Sequence, residues 1–348
     1  MKTHRTDWIP FIIDNLIWVL LCATVIAFSL LTDRFLTSNN LTNILVHSAV
    51  LGIMVIGQSF TLITGNFDLS AESTIGLTAV VGAFLLTAAG EPSNGSGLFL
   101  SPFLTVLVML GLGLLIGEVN GLLITKLRMN NFVVTLSTMI VVRGLAFLLT
   151  HGKTVTHLPD SFKVLGHGSL GPVPLSVIVV VAAFAVASVF TRGTRFGRDL
   201  YAVGGNRDAA LASGIDPDRR ILQVYLISGA LAAFAAWIEL GRLGVGATRI
   251  GEGMIFEVQA AAVIGGISLF GGRGTMLGAL GGVLLLSSIN AGLNLMQVSG
   301  FAIDMVRGIV ILAAMLLDAQ KVRYRQRTSA PTGDPGSAGA MLAVRGSP

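Results

Sequence analysis

Long uncharged stretches alternate with short charged ones along this chain. Seven stretches contain no Asp, Glu, Lys or Arg: Asn15–Thr32, Phe35–Phe67, Ser73–Gly90, Pro92–Gly117, Val164–Thr191, Ile221–Ile238 and Gly274–Ile303. A helix needs about 20 apolar residues to cross a hydrocarbon core of about 30 Å, so most of these stretches are long enough to span a membrane. Their apolar runs are continuous rather than alternating, which predicts helices and not a β-barrel.

Divided at their glycine and polar breaks, the stretches predict an all-α polytopic membrane protein with about ten transmembrane helices and glycine-rich broken segments. The predicted spans are Leu16–Leu31, Ile44–Thr64, Ser73–Ala89, Leu98–Gly117, Phe132–Thr150, Pro172–Phe190, Ile221–Leu240, Val258–Phe270, Thr275–Met296 and Phe301–Leu317. The eighth is short enough to be partial or broken. Before the second span we predict a short leading segment, Thr37–Asn43, in which Ser38-Asn39-Asn40 would cap the helix.

Composition and charge agree with this arrangement. The chain is 53% hydrophobic and 12% charged, with a mean hydropathy of +0.80, which is outside the usual range of soluble domains. More than half of its 23 basic residues fall in four segments that ten spans would place on one side: Met1–Asn15, Lys126–Arg128, Arg192–Arg220 and Lys321–Arg327. The positive-inside rule assigns that side to the cytoplasm, together with both termini.

The predicted domain organisation follows. Residues 1–15 would be a cytoplasmic N-terminus, residues 16–320 a single transmembrane domain with a cytoplasmic loop at 191–220, and residues 321–348 a basic and then disordered tail. The net charge of +5 indicates inner-face arginines beside anionic lipid, not nucleic-acid binding. The single cysteine, Cys22, cannot form an internal disulfide.

Motifs for covalent chemistry are missing from the sequence. Gly152-Lys153-Thr154 lacks the glycine that a Walker A loop needs five positions before Gly152, where Phe147 stands. The five histidines have no metal-ligand spacing. We therefore predict neither an enzyme nor a resident metal or cofactor.

Charged residues at membrane depth can indicate ion coupling. Asp304 and Arg307 are spaced to share a helix face, which favours a self-neutralising pair over a proton relay. Arg143 interrupts an apolar stretch and could snorkel or pair with Glu118. An ion-driven carrier would be expected to place unpaired acids in mid-span, and no clear example is found.

Two glycine-containing breaks interrupt the helical pattern. The first is Gly65–Glu72, in which Asp68 and Ser70 could cap the following helix. The second is Gly265–Gly274. Broken helices at membrane depth must pack on protein or line a cavity, so we predict that these turns flank a pathway; close helix packing through small residues is an equally weighted alternative. The residues concerned are Gly65, Asn66, Asp68, Ser70, Gly265, Gly266, Ser268, Gly271 and Gly272.

The loop Arg192–Arg220 is unusually polar, with six arginines and four aspartates. Its run Gly197–Ile215 is similar to Gly-Arg-x-x-Tyr-Ala-x-Gly-Gly-Asn-x-x-Ala-Ala-x-x-Ser-Gly-Ile, a block of the permease subunits of bacterial ABC importers for monosaccharides. Gly65–Ser70 resembles that family's Gly-Gly-Ile-Asp-Leu-Ser-Val-Gly, and Gly265–Thr275 resembles its Gly-Gly-x-Ser-Leu-x-Gly-Gly-x-Gly. Together with the positions of the predicted spans, the resemblance covers about residues 10–320.

The resemblance to the ribose, xylose, arabinose and galactose group implies a coupling loop that docks on a partner ATPase. Its contact surface would comprise Arg198, Gly204, Gly205, Asn206, Arg207, Ala209, Ala210, Gly214 and Ile215. ATP would be bound by the ATPase subunit. A periplasmic or lipid-anchored substrate-binding protein would deliver the sugar to a pair of permease copies. The arginines could instead serve only to fix topology.

Departures from the pattern leave the substrate open. Asn66 stands where the family usually has glycine, and Ala71-Glu72 replaces Val-Gly. Alternatives to a monosaccharide permease of the inner membrane are an ABC permease for nucleosides or branched-chain amino acids, and a stand-alone ion-coupled carrier.

Overall fold

A computed structural model describes residues 15–88 and 94–303, with residues 305, 306, 308, 309, 312 and 316 of the segment that follows. Most of the predicted N-terminal segment 1–15, the tail 321–348, the pair Asp304 and Arg307, and much of the predicted span Phe301–Leu317 lie outside the described residues.

The described part of the chain is mostly helical. Its helices are α1 (Leu16–Leu31), α2 (Ser38–Ile63), α3 (Ala71–Leu86), α4 (Pro102–Thr125), α5 (Asn131–Thr150), α6 (Val164–His167), α7 (Leu175–Gly193), α8 (Arg195–Gly205), α9 (Arg207–Ala212), α10 (Pro217–Leu243), α11 (Met254–Ile264) and α12 (Met276–Leu295). A small antiparallel hairpin, β1 (Ser169–Leu170) and β2 (Val173–Pro174), precedes α7.

Six of these helices are long and apolar enough to cross a membrane: α2, α4, α5, α7, α10 and α12. Three shorter apolar helices, α1, α3 and α11, lie among them. Many helices of this length and hydropathy in one chain make it a polytopic membrane protein, because a soluble fold could not cover their apolar surface. The all-α part of the sequence prediction is confirmed.

Helix α2 lies at the centre of the bundle. Its residues are buried from Ser48 to Ile63, and it packs against α10, α12, α7 and α11. By contrast, α4, α5 and α7 each leave most of their apolar surface uncovered, with exposed side chains such as Leu107, Ile140 and Val186. An apolar face left uncovered by protein suits a hydrocarbon environment. The molecule therefore has a protein-enclosed central helix and lipid-compatible flanks.

Polar residues fix where several helices begin. Ser101 precedes Pro102 at the start of α4 and accepts a hydrogen bond from the Leu104 amide, and Asn130 accepts hydrogen bonds from the first amides of α5. Asp216 caps α10 in the same way, again followed by proline. Such side chains satisfy amides that have no partner within their own helix, and proline at the first helical position lacks an amide hydrogen there anyway.

The predicted boundaries need correction at three places, the first of which is α4, which continues from the predicted end at Gly117 to Thr125. The leading segment Thr37–Asn43 is continuous with the second span as α2, and Thr37 precedes it without a capping side-chain hydrogen bond. The Asn40 side chain instead donates to the Phe35 carbonyl at 2.8 Å. At α3, the Ser70 hydroxyl makes no capping bond, because it donates to the Asp68 carboxylate at 2.6 Å.

The eighth span is short and broken at Gly265, as predicted. Helix α11 begins at Met254 and ends at Ile264, so the second half of the predicted span Val258–Phe270 is irregular backbone. The segment before α11, residues 244–253, is also non-helical and contacts α3 closely: a Cβ on Gly246 would lie 2.3 Å from Ala83 Cβ, and one on Gly251 would lie 2.6 Å from the Glu72 carbonyl oxygen. An 11-residue helix is about 16 Å long at 1.5 Å per residue, roughly half a hydrocarbon core.

Candidate functional site: the coupling loop and the turns beneath it

The polar loop between α7 and α10 folds into two short helices. Thr194 caps α8 by accepting from the Gly197 amide at 3.1 Å, and Asn206 caps α9 by accepting from the Ala209 amide at 2.9 Å. Asn206 is extended, so the chain turns between the two helices there. Ala209, Ala210 and Leu211 lie within α9.

Ion pairs hold this loop against the ends of neighbouring helices. The Arg220 guanidinium binds the Asp199 carboxylate at 2.6 Å and lies 5.4 Å from the ring centre of Phe196. Asp218 receives hydrogen bonds from both Arg207 and Arg128. Two of the arginines of the loop are therefore used to fix its own shape.

Other arginines of the loop point outward. Arg192, Arg195, Arg198 and Arg219 are exposed, and within the described part of the chain none of them forms an ion pair. Exposed guanidinium groups beside a short helix can make charge-assisted hydrogen bonds with carboxylates of another protein.

The predicted contact residues divide into two sets by exposure. Arg198, Gly205, Asn206, Arg207, Ala209 and Gly214 are exposed. Gly204 and Ile215 are half-buried, and Ala210 is 3% exposed in a cluster with Ile124, Val134 and Tyr225. Gly204 and Ala210 thus face the body of the protein and support the surface that the first set presents.

The end of α8 meets both predicted glycine turns at very short range. A Cβ added to Gly204 would lie 1.8 Å from the Ile63 carbonyl oxygen and 2.7 Å from the Gly272 amide nitrogen. The Gly272 amide in turn donates to the Ile63 carbonyl at 2.8 Å. Only glycine permits this approach. We name this contact of residues 63–65, 204–205 and 271–272 the glycine junction.

A tyrosine makes a second link between α8 and the same turn. The Tyr201 hydroxyl donates to the Gly274 carbonyl oxygen at 2.9 Å. Burial raises the pKa of the Tyr201 phenol, despite the opposing effect of Arg192, so the hydroxyl keeps its proton at neutral pH. Tyr201 and Gly204 thus both join α8 to residues 271–274.

Beneath the glycine junction, the turn 65–70 is tied to three other helices by a buried polar network. The Asp68 carboxylate accepts from the Ser70 amide at 3.1 Å, from the Ser70 hydroxyl and, at 2.6 Å, from the Ser228 hydroxyl of α10. Asn120 of α4 donates to the Ser70 hydroxyl at 2.8 Å and accepts from Thr138 of α5 at 2.7 Å. We name these five side chains the Asp68 network.

Most of the remaining predicted turn residues contact neighbouring elements. Asn66 is bound by Asn131 at 3.0 Å, and the Ser268 amide donates to the Arg273 carbonyl at 3.1 Å. A Cβ on Gly265 would lie 2.4 Å from the Gly278 carbonyl oxygen, so α11 and α12 approach closely there. A Cβ on Gly266 would meet no atom within 4 Å, but its φ of +90° favours glycine. The two glycine turns are thus joined to each other and to α8.

Comparison with known proteins decides the family. The family described as "Branched-chain amino acid transport system / permease component" matches residues 40–315. This chain belongs to that family of permeases. It is a multi-pass protein of the cell membrane and a transport subunit, not an enzyme, and permeases of this family work with ATPase and substrate-binding partners.

Curated relatives of the permease are sugar importers by name. It is 38% identical to the ribose import permease protein of Bacillus subtilis (strain 168) over 85% of this chain and 90% of the relative. It is 36% identical to the ribose import permease protein of Escherichia coli (strain K12), over 84% and 89%, and 32% identical to the galactose/methyl galactoside import permease protein of the same strain, over 91% and 97%. No solved structure gives a significant match.

Sequence reasoning missed several residues of this permease that the fold brings together. Arg143 pairs with Glu72 at 3.4 Å, a partner outside the two possibilities that the sequence left open, snorkelling or a pair with Glu118. Glu118 is exposed on α4, whereas Glu72 lies in the first turn of α3 beside Arg143. Ser228, Asn120 and Thr138 carry no motif, and their role depends on helix contacts that spacing along one chain does not reveal. The buried polar residues themselves were the available signal, since a polar group at membrane depth needs a partner.

Proposed function

We propose that this permease carries a monosaccharide, a ribose-like pentose or a hexose such as galactose, inward across the inner membrane. The observation that carries this proposal is the identity of 32–38% to ribose and galactose import permeases over most of both chains. The energy would come from ATP hydrolysis by a partner subunit, and this chain would hold no cofactor of its own.

The coupling loop would receive the movement of the ATPase. Its exposed set, Arg198, Gly205, Asn206, Arg207, Ala209 and Gly214, forms the predicted docking surface. Displacement of α8 would move the glycine junction, because backbone atoms in such close contact cannot pass one another without shifting. The Asp68 network would carry the movement on to α4, α5 and α10.

The predicted pathway would lie beside these moving turns. The turn residues Gly65, Asn66, Asp68, Ser70, Gly265, Gly266, Ser268, Gly271 and Gly272 would flank it. Their close packing favours a role in which they move the helices that line the pathway. Alternating access would then result from rigid groups of helices shifting against one another.

The substrate-binding protein would dock on the opposite side. The segment between α5 and α7 forms an open depression there, lined by Asp160, Lys163, Val164, His167, Gly168, Leu243 and Gly244. Lys163 donates to Asp160 at 2.9 Å, and this hydrogen bond lowers the pKa of the Asp160 carboxyl below its usual value. The Asp160 carboxylate is therefore charged at neutral pH and available to a polar partner surface.

The number of spans, the side of the termini and the number of permease copies are part of the same proposal. Ten spans with both termini in the cytoplasm would place the coupling loop inside and the depression outside, in agreement with the positive-inside rule. A second permease copy would complete the pathway. The exposed apolar faces of α4, α5 and α7 would be shared between this copy and lipid.

Uptake in vesicles tests the function. Vesicles containing this permease, its ATPase and its binding protein should accumulate radiolabelled ribose or galactose with ATP, and accumulation should stop when the ATPase is inactivated. The matched control uses the same vesicles with an ion gradient and no ATP. Uptake driven by the gradient alone would instead support an ion-coupled carrier.

The description of the matching family favours one second candidate, a branched-chain amino acid permease. Leucine and a nucleoside should therefore be offered in parallel with the sugars. Transport of leucine or the nucleoside in place of both sugars would overturn the monosaccharide assignment.

A further inference from the structure

One residue at membrane depth departs from the family pattern and has a structural partner. Glu72 stands where that pattern has glycine, at the second position of α3. Its carboxylate is mostly buried and pairs with Arg143, which lies near the middle of α5. A charge pair is costly to bury unless further hydrogen bonds satisfy both groups, so the contacts around it indicate its role.

The Arg143 guanidinium satisfies backbone carbonyls of an irregular segment. Nη1 donates to the Thr248 carbonyl at 2.7 Å and to the Ile250 carbonyl at 3.0 Å, while Nη2 donates to the Glu72 carbonyl at 3.3 Å. Both acceptors on the first nitrogen belong to residues 244–253, whose backbone is non-helical and makes isolated turn bonds, such as the one from the Ile250 amide to the Ala247 carbonyl at 3.1 Å. Irregular backbone inside a membrane protein requires such partners.

Glu72 extends the same contact to the start of α11. One carboxylate oxygen accepts from Arg143 Nη2 and the other accepts from the Ile255 amide, both at 3.4 Å. That amide belongs to the first turn of α11, where amides lack partners within the helix and a negative charge is favourable. A single carboxylate thus connects α3, α5 and the beginning of the short helix α11.

Neighbouring glycines make room for this arrangement. A Cβ on Gly76 would lie 2.7 Å from Arg143 Nη1 and 2.8 Å from the Ile250 carbonyl oxygen. Gly251, at φ +81°, packs directly on the backbone of Glu72. The irregular segment is therefore held against α3 along its length, and Thr248 and Ile250 are buried while the intervening Arg249 is exposed.

We propose that Glu72 is a positioning residue that, with Arg143, holds segment 244–253 and the start of α11 against α3 and α5 and so keeps water out of the part of the pathway that this segment borders. The inference rests on the proposed function only in assigning the segment to the pathway.

The rate of cysteine labelling measures directly how well this contact keeps water from segment 244–253. In a Cys22→Ser background, Thr248→Cys reports the buried face of the segment and Arg249→Cys its exposed face. A water-soluble maleimide should label the cysteine at 248 about tenfold faster, or more, when Glu72→Gly is added. This is the effect expected from losing a hydrogen bond to a charged group. The rate at 249 should stay the same. An unchanged rate at 248 would overturn the proposal.

Two comparisons separate the loss of this contact from general loosening. Glu239→Gln removes a carboxylate from another ion pair, that with Arg242 at 2.6 Å, and should leave the rate at 248 unchanged. A cysteine at buried Ser48 in α2 should stay protected. Glu72→Gly could also expose position 48. In that case the labelling rate of the cysteine at 248 is measured in Glu72→Gln, which keeps the size of the side chain. No increase of that rate in Glu72→Gln would contradict the proposal.

A double variant tests whether Glu72 acts through Arg143. The increase produced by Glu72→Gly should be largely absent when Arg143→Gln is already present, since the two changes open the same contact. If the two substitutions increase the labelling rate at 248 in a fully additive way, Glu72 does not act through Arg143. Labelling needs neither ATP nor sugar, so failure of this proposal is distinguishable from failure of the proposed transport function, which the uptake assay measures.

Discussion

At the scale of single residues, the glycines of the two turns are points of close backbone packing. The sequence predicted breaks beside a pathway, with close packing as the alternative. At Gly204, Gly271 and Gly272 the structure shows backbone atoms in direct contact across three segments. The glycine positions were predictable, but their partners were not, because contacts between distant segments depend on the whole bundle.

Gly204 and its neighbour Gly205 offer a matched pair of substitutions. Gly204→Ala places a methyl group against the Ile63 carbonyl, and we expect a loss of about 1–3 kcal/mol in the free energy of unfolding, as is usual for overpacking. Gly205→Ala meets no atom within 4 Å, and alanine favours helix, so stability should be unchanged or slightly increased.

Thermal unfolding of the two purified variants in detergent measures this difference. Gly204→Ala should melt several degrees below the wild-type permease, while Gly205→Ala should melt at or above its temperature. Equal melting temperatures for the two variants would contradict the glycine junction.

At the scale of elements, the sequence predicted helices well and their ends less well. Spans bounded by charges or proline, such as α5 and α10, lie within a few residues of their predicted limits. The errors lie where polarity and helix do not coincide: α2 includes the polar residues Ser38-Asn39-Asn40, and α4 continues past the charged Glu118 to Thr125. A polar residue marks the end of a helix only where its side chain caps the backbone, which the order of residues along the chain does not show.

Helix α9 depends on its cap for its start. Asn206→Ala removes the hydrogen bond to the Ala209 amide, and caps of this kind contribute about 1 kcal/mol. Local opening of α9 should therefore become about fivefold more frequent. Hydrogen–deuterium exchange of amides 207–212 measures this, and sugar uptake should fall with it because the docking surface is less ordered.

Asn206→Ser is the matched control, since serine also accepts a hydrogen bond at a cap position. Its exchange should stay near that of the wild-type permease. Equally fast exchange in the serine and alanine variants would show that the cap does not stabilise α9.

At the scale of the whole molecule, the arrangement in the membrane follows from helix number and charge. The described helices confirm a polytopic protein, whereas ten spans and cytoplasmic termini remain predictions that depend partly on residues 304–348. The fold adds that the coupling loop contacts both glycine turns, so all three must lie on the same side. This is also what the predicted ten-span topology requires.

Labelling from the two sides of the membrane tests that topology. In the Cys22→Ser background, a cysteine at Asn206 should react with a membrane-impermeant maleimide in inverted vesicles and not in intact spheroplasts. A cysteine at Asp160 should show the opposite pattern, because its loop would face outward. Reaction at position 206 from outside would overturn both the topology and the proposed coupling to a cytoplasmic ATPase.

The burial of α2 has a consequence for biosynthesis. This helix is synthesised early but carries Asn40, Ser48, Gln58 and Ser59 among its buried residues, and it completes its surroundings only with α7, α10, α11 and α12. Until the ribosome has produced those later helices, its polar side chains must be accommodated by the insertion machinery or by lipid, at a cost. A chain that stalls before Pro217 would therefore leave the future centre of the protein unshielded and open to degradation by membrane quality control.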